Sequence, residues 1–207
     1  MIPPQSLLVA TQNEGKLKEL QLLLHDLPFQ VCTLTDFPDV TAVPETGATF
    51  IENASLKAAG YSAQTDLLTL ADDSGLEVDA LGGAPGVRSA RYAGTGASDA
   101  IRTSKLLAEL SAVPEAKRSA RFVSAVVIAN SQGKVLNISE GTCSGHIAFA
   151  PRGRGGFGYD PIFIPSGYDQ TFAQLKSEIK NRISHRARAL SGAREFLRTL
   201  TIPSSAR

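Results

Sequence analysis

The sequence has little of what several function classes require. Its 207 residues include two cysteines, Cys32 and Cys143, with no Cys-x-x-Cys spacing. A structural zinc site is therefore not expected, and nothing in the spacing supports a disulfide. No segment approaches the roughly 18 apolar residues needed to span a bilayer. The start, Met1-Ile2-Pro3-Pro4-Gln5, lacks the basic opening of an export signal, so the cytoplasm is the expected compartment and no membrane partner is expected. The sequons at Asn53-Ala54-Ser55 and Asn137-Ile138-Ser139 carry no glycosylation expectation without export. An excess of basic charge is also missing. The formal net charge is +1, which argues against a strongly basic nucleic-acid binder.

With 43% apolar and 20% charged residues, the chain suits one globular domain, 1–207, or two lobes sharing a core. The near-zero net charge hides a segregation. Residues 36–79 hold nine acids and one base, Lys57, while residues 150–198 hold nine bases and four acids. Two solvated faces of opposite sign would account for this, and so would a ligand that needs both signs.

Ser6–Thr11 reads as an apolar strand that breaks at Gln12-Asn13-Glu14-Gly15, and a helical stripe follows with Leu17, Leu20, Leu23 and Leu24. Val31–Leu34 is a second strand candidate. Thr49-Phe50-Ile51-Glu52 has capping-box form, predicting a helix from Phe50 to about Gln64. Leu67–Ala71 reads as a strand closed by Asp72-Asp73-Ser74-Gly75. Ser98 caps a helix running to Leu110, with Pro114 beyond it. Arg121–Asn130 and Lys134–Cys143 flank a hairpin turn, and Gly145–Ala150 extends the sheet. Pro161–Ile164 is a short strand. Ser184 caps a last helix through about Leu200, stopped by Pro203. The class is α/β: a mixed, two-lobed fold with an elongated central sheet, flanking helices and a cleft between lobes. The sharpest internal boundary signal lies near Pro114.

Three stretches invite a phosphate-loop reading. Gly153-Arg154-Gly155-Gly156-Phe157-Gly158 matches GxGxxG, but Pro161 and Pro165 exclude the helix that a dinucleotide fingerprint must open. Gly15-Lys16 resembles the end of a Walker A loop, yet Ala10 and Leu17 stand where glycine and Ser/Thr belong. Thr11-Gln12-Asn13-Glu14-Gly15-Lys16 sits between a strand and an amphipathic helix, where unbonded helix amides and the helix dipole favour an anion. Asp72 and Asp73 close an apolar strand. Adjacent strand residues point to opposite faces, so one faces a ligand and the other supports it. A carboxylate there holds Mg²⁺ or accepts a proton from water, with Glu45 and Glu52 as further acids, although an ordinary polar turn would look the same. Lys180, His185 and Arg186 surround Ser184 as phosphate or carbonyl binders, or as part of a solvated basic helix.

Together these residues resemble the inosine triphosphate pyrophosphatase family, most closely its bacterial branch acting on dITP and XTP. The matching stretches are Thr11–Lys16, Thr49–Ala54, Ala71–Val87, Ser89–Tyr92, Gly155–Pro161 and Ile183–Arg186, in the family's order over nearly the whole chain. The resemblance implies hydrolysis of deaminated purine nucleoside triphosphates to monophosphate and diphosphate, with Mg²⁺ as cofactor, in a homodimer. Carried over by position, Thr11, Gln12, Asn13, Glu14, Gly15 and Lys16 bind the triphosphate. Asp73 is metal ligand and candidate base, and Ser74 contacts substrate. Phe157, Gly158, Tyr159 and Asp160 form the base-side loop, and Lys180, His185 and Arg186 complete the pocket. Glu45 and Asp72 are further metal candidates. Ile179 departs from the family, which often has an acid there. Two rivals remain: a pyrophosphatase of related fold acting on modified pyrimidine or ordinary nucleotides, and a nucleotide- or RNA-binding module without turnover. Substrate profiling with diphosphate detection separates all three.

Overall fold

The computed structural model describes residues 5–201. The expectations resting on Met1–Pro4 and on Pro203 as a helix stop lie outside them. Six strands form one sheet in the order β2-β1-β3-β4-β5-β6. They are β1 (Gln5–Val9), β2 (Phe29–Thr33), β3 (Leu68–Val78), β4 (Ser119–Ala129), β5 (Val135–Ile147) and β6 (Phe163–Pro165). Five helices accompany them: α1 (Glu14–Leu24), α2 (Phe50–Thr65), α3 (Asp99–Glu109), α4 (Ser177–Ile183) and α5 (His185–Thr201). β1 pairs in parallel with both β2 and β3, and β5 pairs antiparallel with β6. This is the mixed α/β fold expected. No helix among the described residues is long and apolar enough to cross a membrane. No disulfide joins Cys32 and Cys143.

The chain divides into two compact units. Among the described residues, the first takes 5–73, 124–141 and 186–201, and the second takes 74–123 and 142–185, so Pro114 lies inside the second. Each has its own core. In the first, Leu20 and Leu24 of α1 and Leu190 and Leu197 of α5 pack with Leu7, Val9, Leu68, Leu70, Val126 and Ile128. In the second, Leu76, Val78, Leu106 and Leu110 join an aromatic group of Phe122, Phe163 and Phe172. The rings of Phe122 and Phe163 meet edge-on, with centroids 4.7 Å apart.

Local chemistry explains most helix starts. The Asn13 side chain accepts from the Lys16 amide and caps α1, which begins at Glu14, two residues earlier than the apolar stripe alone suggests. Thr49 and Glu52 form the reciprocal capping box of α2, and Ser98 caps α3. The expectation of a turn at Asp72-Asp73-Ser74-Gly75 is overturned, because β3 runs unbroken to Val78. Leu76 and Val78 are fully buried at alternating positions. Their burial, with ion pairs for both aspartates, outweighs the turn preference of the four residues. α4 was not foreseen, and it has no side-chain cap bond to announce it.

Candidate active site

The first unit gathers charge around the middle of β3. Asp72 has no exposed surface. Its Oδ2 lies 2.8 Å from Lys16 Nζ on α1. Its Oδ1 accepts from Ser124 Oγ at 2.5 Å and lies 3.6 Å from Arg186 Nε on α5. Arg186 also pairs with Glu19 of α1. Asp73 meets a different helix: Lys57 Nζ of α2 lies 3.5 Å from Asp73 Oδ1, donates to the Asp72 carbonyl at 2.8 Å, and pairs with Glu45 Oε1 at 2.6 Å. The two neighbouring carboxylates thus face separate partners, as strand alternation requires.

Their environments separate them chemically. Burial alone would raise the pKa of Asp72. Lys16 and Arg186, with hydrogen bonds from Lys16 and Ser124, outweigh it and hold that carboxyl well below the usual range. Burial also raises Asp73; there it prevails over Lys57 and Lys16, and Glu45 and Asp72 push the same way. Asp73 Oδ2 is buried and has no hydrogen-bond partner among the described residues. An orphaned carboxylate oxygen is a costly feature unless a ligand engages it.

Glu45 is brought here by the start of α2. Gly47 N donates to Asn53 Oδ1 at 2.8 Å, and Ala48 N to Glu52 Oε2 at 2.6 Å. Gly47 must be glycine, since a Cβ there would lie 2.6 Å from Glu52 Cβ. Of the remaining triphosphate candidates, Thr11 Oγ1 accepts from Asn13 N at 3.2 Å, and Gln12 and Glu14 are exposed. Gly15 and Lys16 lie in the first turn of α1.

The second unit assembles the loop after Gly153. Asp160 is buried and its Oδ2 lies 2.5 Å from Lys180 Nζ of α4. The same oxygen accepts from Phe157 N at 2.9 Å. Gly156, at φ +71°, leaves room for that carboxylate, which a Cβ would approach to 1.9 Å. Lys180 Nζ sits 4.9 Å from the Phe157 ring centroid and 5.6 Å from that of Phe172. Gly158 N donates to Asp99 Oδ2 at 2.6 Å, and Tyr159 OH to the Ser89 carbonyl at 2.9 Å. The buried His185 ring stacks on Phe122 at 4.6 Å. Ser74 is half-buried on β3. After Gly158 the chain enters a short 3-10 turn, Asp160–Ile162, and then β6, with no helix opening.

The structure therefore joins Lys16, Glu45, Asp72, Asp73 and Arg186 in one cluster, and Phe157, Asp160 and Lys180 in another. Sequence reasoning missed Lys57, Glu19, Ser124 and Asp99. Lys57 had a signal: it is the one base in the acidic stretch, and it falls on the buried stripe of α2 with Phe50, Ala54, Ala58 and Tyr61. Among the described residues no three His, Cys, Asp or Glu side chains gather as a metal cage. Two hard oxygen donors, Asp73 Oδ2 and Glu45, still fit Mg²⁺, which is held by one or two carboxylates together with waters and substrate phosphates.

The chain is 50% identical over 187 residues to the dITP/XTP pyrophosphatase of Geobacillus kaustophilus, covering 90% of this chain and 91% of that one. It is 50% identical over 196 residues to the dITP/XTP pyrophosphatase of Desulforamulus reducens, covering 95% and 97%. The solved structure of a HAM1 protein from Coxiella burnetii is similar at TM-score 0.84 and 44% identity, covering 95% of this chain and 98% of that one. The profile of the Ham1 family matches residues 7–196, and the chain belongs to that family.

Proposed function

We propose that this protein hydrolyses deaminated purine nucleoside triphosphates (dITP, ITP and XTP) to the monophosphate and diphosphate, cleansing the nucleotide pool as a cytoplasmic homodimer. The observation that carries the reading is Asp73: a buried carboxylate with one oxygen on the Lys57 side and the other unpartnered among the described residues. Relatives named dITP/XTP pyrophosphatase at 50% identity support the substrate class.

Asp73 and Glu45 would hold the cofactor Mg²⁺, which would neutralise triphosphate charge and polarise the α-phosphorus. The α1 amides and Lys16 bind the triphosphate oxygens, with Thr11, Gln12, Asn13, Glu14 and Gly15 shaping that turn. Asp73 orients a water and accepts its proton as the water oxygen bonds the α-phosphorus. The α-phosphorus–oxygen bridge breaks, diphosphate leaves, and Asp73 returns the proton to solvent. Lys57 opposes the upward pull of burial on the Asp73 carboxyl. Asp72 is committed to Lys16, Ser124 and Arg186, so we give it a positioning role rather than a place on the metal. Catalysis is then chiefly positioning and charge stabilisation.

The base-side loop works differently. Phe157 stacks on the purine, Gly158, Tyr159 and Asp160 hold its shape, and Ser74 and His185 line the pocket. Lys180 beside Phe157 belongs to the base end rather than to the departing diphosphate. Lys180 supplies a donor for a 6-keto oxygen, while Arg186 stays with Asp72 and Glu19. Adenine places an amino donor there, and leaving a buried donor unpaired costs about 1–3 kcal/mol, roughly ten- to a hundredfold in affinity.

A hydrolysis panel over ITP, XTP, GTP, ATP and dUTP, with and without Mg²⁺, tests the reading. Mg²⁺-dependent diphosphate release strongest with ITP and XTP is expected. Strongest release from dUTP or ATP would move the protein to the pyrimidine or general class, and binding without release to a non-catalytic module. Molecular mass in solution tests the dimer.

A further inference from the structure

We propose that Asp99, held by Arg102, is the positioning residue that fixes how Phe157 is presented to the purine base. The inference rests on the function proposed above and adds a specificity residue to it.

The backbone around Phe157 is bonded on every side. Phe157 N donates to Asp160 Oδ2 at 2.9 Å, and the Phe157 carbonyl accepts from Asp160 N at 3.2 Å. Gly158 N donates to Asp99 Oδ2 at 2.6 Å. The peptide unit is planar, so pinning its N–H sets its carbonyl too. Bonds on both peptides that flank Phe157 determine its φ and ψ, and hence the direction of the Cα–Cβ bond that carries its ring.

Asp160 reaches both peptides, and Asp99 adds a second anchor on the one that follows Phe157. Gly158 sits at φ +62°, and glycine reaches other conformations there at little steric cost. Asp99 selects one of them. Its second oxygen pairs with Arg102, whose fork also donates to the Ala90 carbonyl at 3.0 Å and the Ala97 carbonyl at 2.5 Å. A guanidinium shared among three acceptors gives the carboxylate a fixed seat.

Asp99 is also the first residue of α3, and acids there stabilise helix starts without further purpose. Here the cap belongs to its neighbour: Ser98 Oγ accepts from Ile101 N at 3.3 Å. The two jobs can be separated by mutation.

The experiment compares D99A, D99N and S98A with wild type. Its readouts are kcat and KM for XTP, inhibition by inorganic tripolyphosphate as a probe lacking a base, and melting temperature. D99A is expected to raise KM for XTP about tenfold, with kcat within about twofold and tripolyphosphate inhibition unchanged. D99N keeps an oxygen that accepts from Gly158 N and is expected to recover most of the loss. S98A is expected to lower melting temperature and leave KM unchanged. An unchanged KM in folded D99A, or a D99A defect matched by S98A or shared by tripolyphosphate, overturns the inference alone. D99N as impaired as D99A overturns it likewise. A wild-type protein that releases no diphosphate from any triphosphate overturns the functional reading and this inference with it.

Discussion

Each unit contains a buried aspartate–lysine pair, and the two pairs serve opposite surroundings. Asp72 and Lys16 meet at 2.8 Å, and Asp160 and Lys180 at 2.5 Å. The first pair sits among further charges: Arg186 and Glu19 on one side, with Lys57, Asp73 and Glu45 on the other. The second pair sits among rings and backbone, with Lys180 over Phe157 and Phe172 and Asp160 bonded to Phe157 N. A buried ion pair by itself says little about its job. In the first unit the neighbours leave Asp73 Oδ2 without a partner among the described residues, and in the second they contact the ring and backbone of Phe157.

The comparison breaks most sharply at Asp73. Asp73→Asn should lower Mg²⁺-dependent diphosphate release about 10²- to 10⁴-fold, the usual contribution of a positioned proton acceptor, with an unchanged circular dichroism spectrum. Wild-type turnover in a folded variant would remove Asp73 from the reaction. Asp160→Ala strands the buried Lys180 charge. It should cost about 3–5 kcal/mol in urea unfolding, as breaking a buried pair from one side does, so its main effect is on stability. Equal loss of activity with unchanged stability would erase the distinction between the pairs.

Phe157→Ala sharpens the base end. Removing a stacking ring is worth about 1–3 kcal/mol, so KM for XTP should rise roughly ten- to a hundredfold while inhibition by tripolyphosphate stays constant. Lys16→Ala should weaken both ligands together. A Phe157→Ala effect shared by tripolyphosphate would merge the two ends into one.

The smallest effect lies away from both pairs. The hydrogen bond from Arg194 to Asp26, at 2.6 Å, ties the end of α1 to α5 and lowers the Asp26 pKa to about 2. A depressed folded-state pKa gives stability that is present above the unfolded value, near 4, and lost as pH falls toward 2. Thermal melts of Asp26→Asn should therefore match wild type more closely at pH 2 than at pH 6. A gap that does not narrow would show that the pair contributes nothing.

Much of this was legible in the chain. The Thr49–Glu52 capping box and Ser98 capping α3 are local devices, and both appear where the sequence places them. The opposite facing of Asp72 and Asp73 follows from strand alternation alone. Lys57 was not legible as a site residue, because its partners Glu45 and Asp73 lie 12 and 16 positions away and are reached only when α2 packs on β3. The strand through Asp72-Asp73-Ser74-Gly75 was hidden for a similar reason: turn chemistry is local, while the burial that overrides it is not.

The sequence by itself determined the element types, the caps and the set of motifs that marks the family, because these depend on neighbours within a few positions. Only the tertiary structure decided which acid is engaged and which keeps an orphaned oxygen. It also showed that Lys180 serves Asp160 and Phe157, and that Asp99 reaches Gly158 across 59 positions. Charges interact through distance and burial, and the chain acquires both only when it folds.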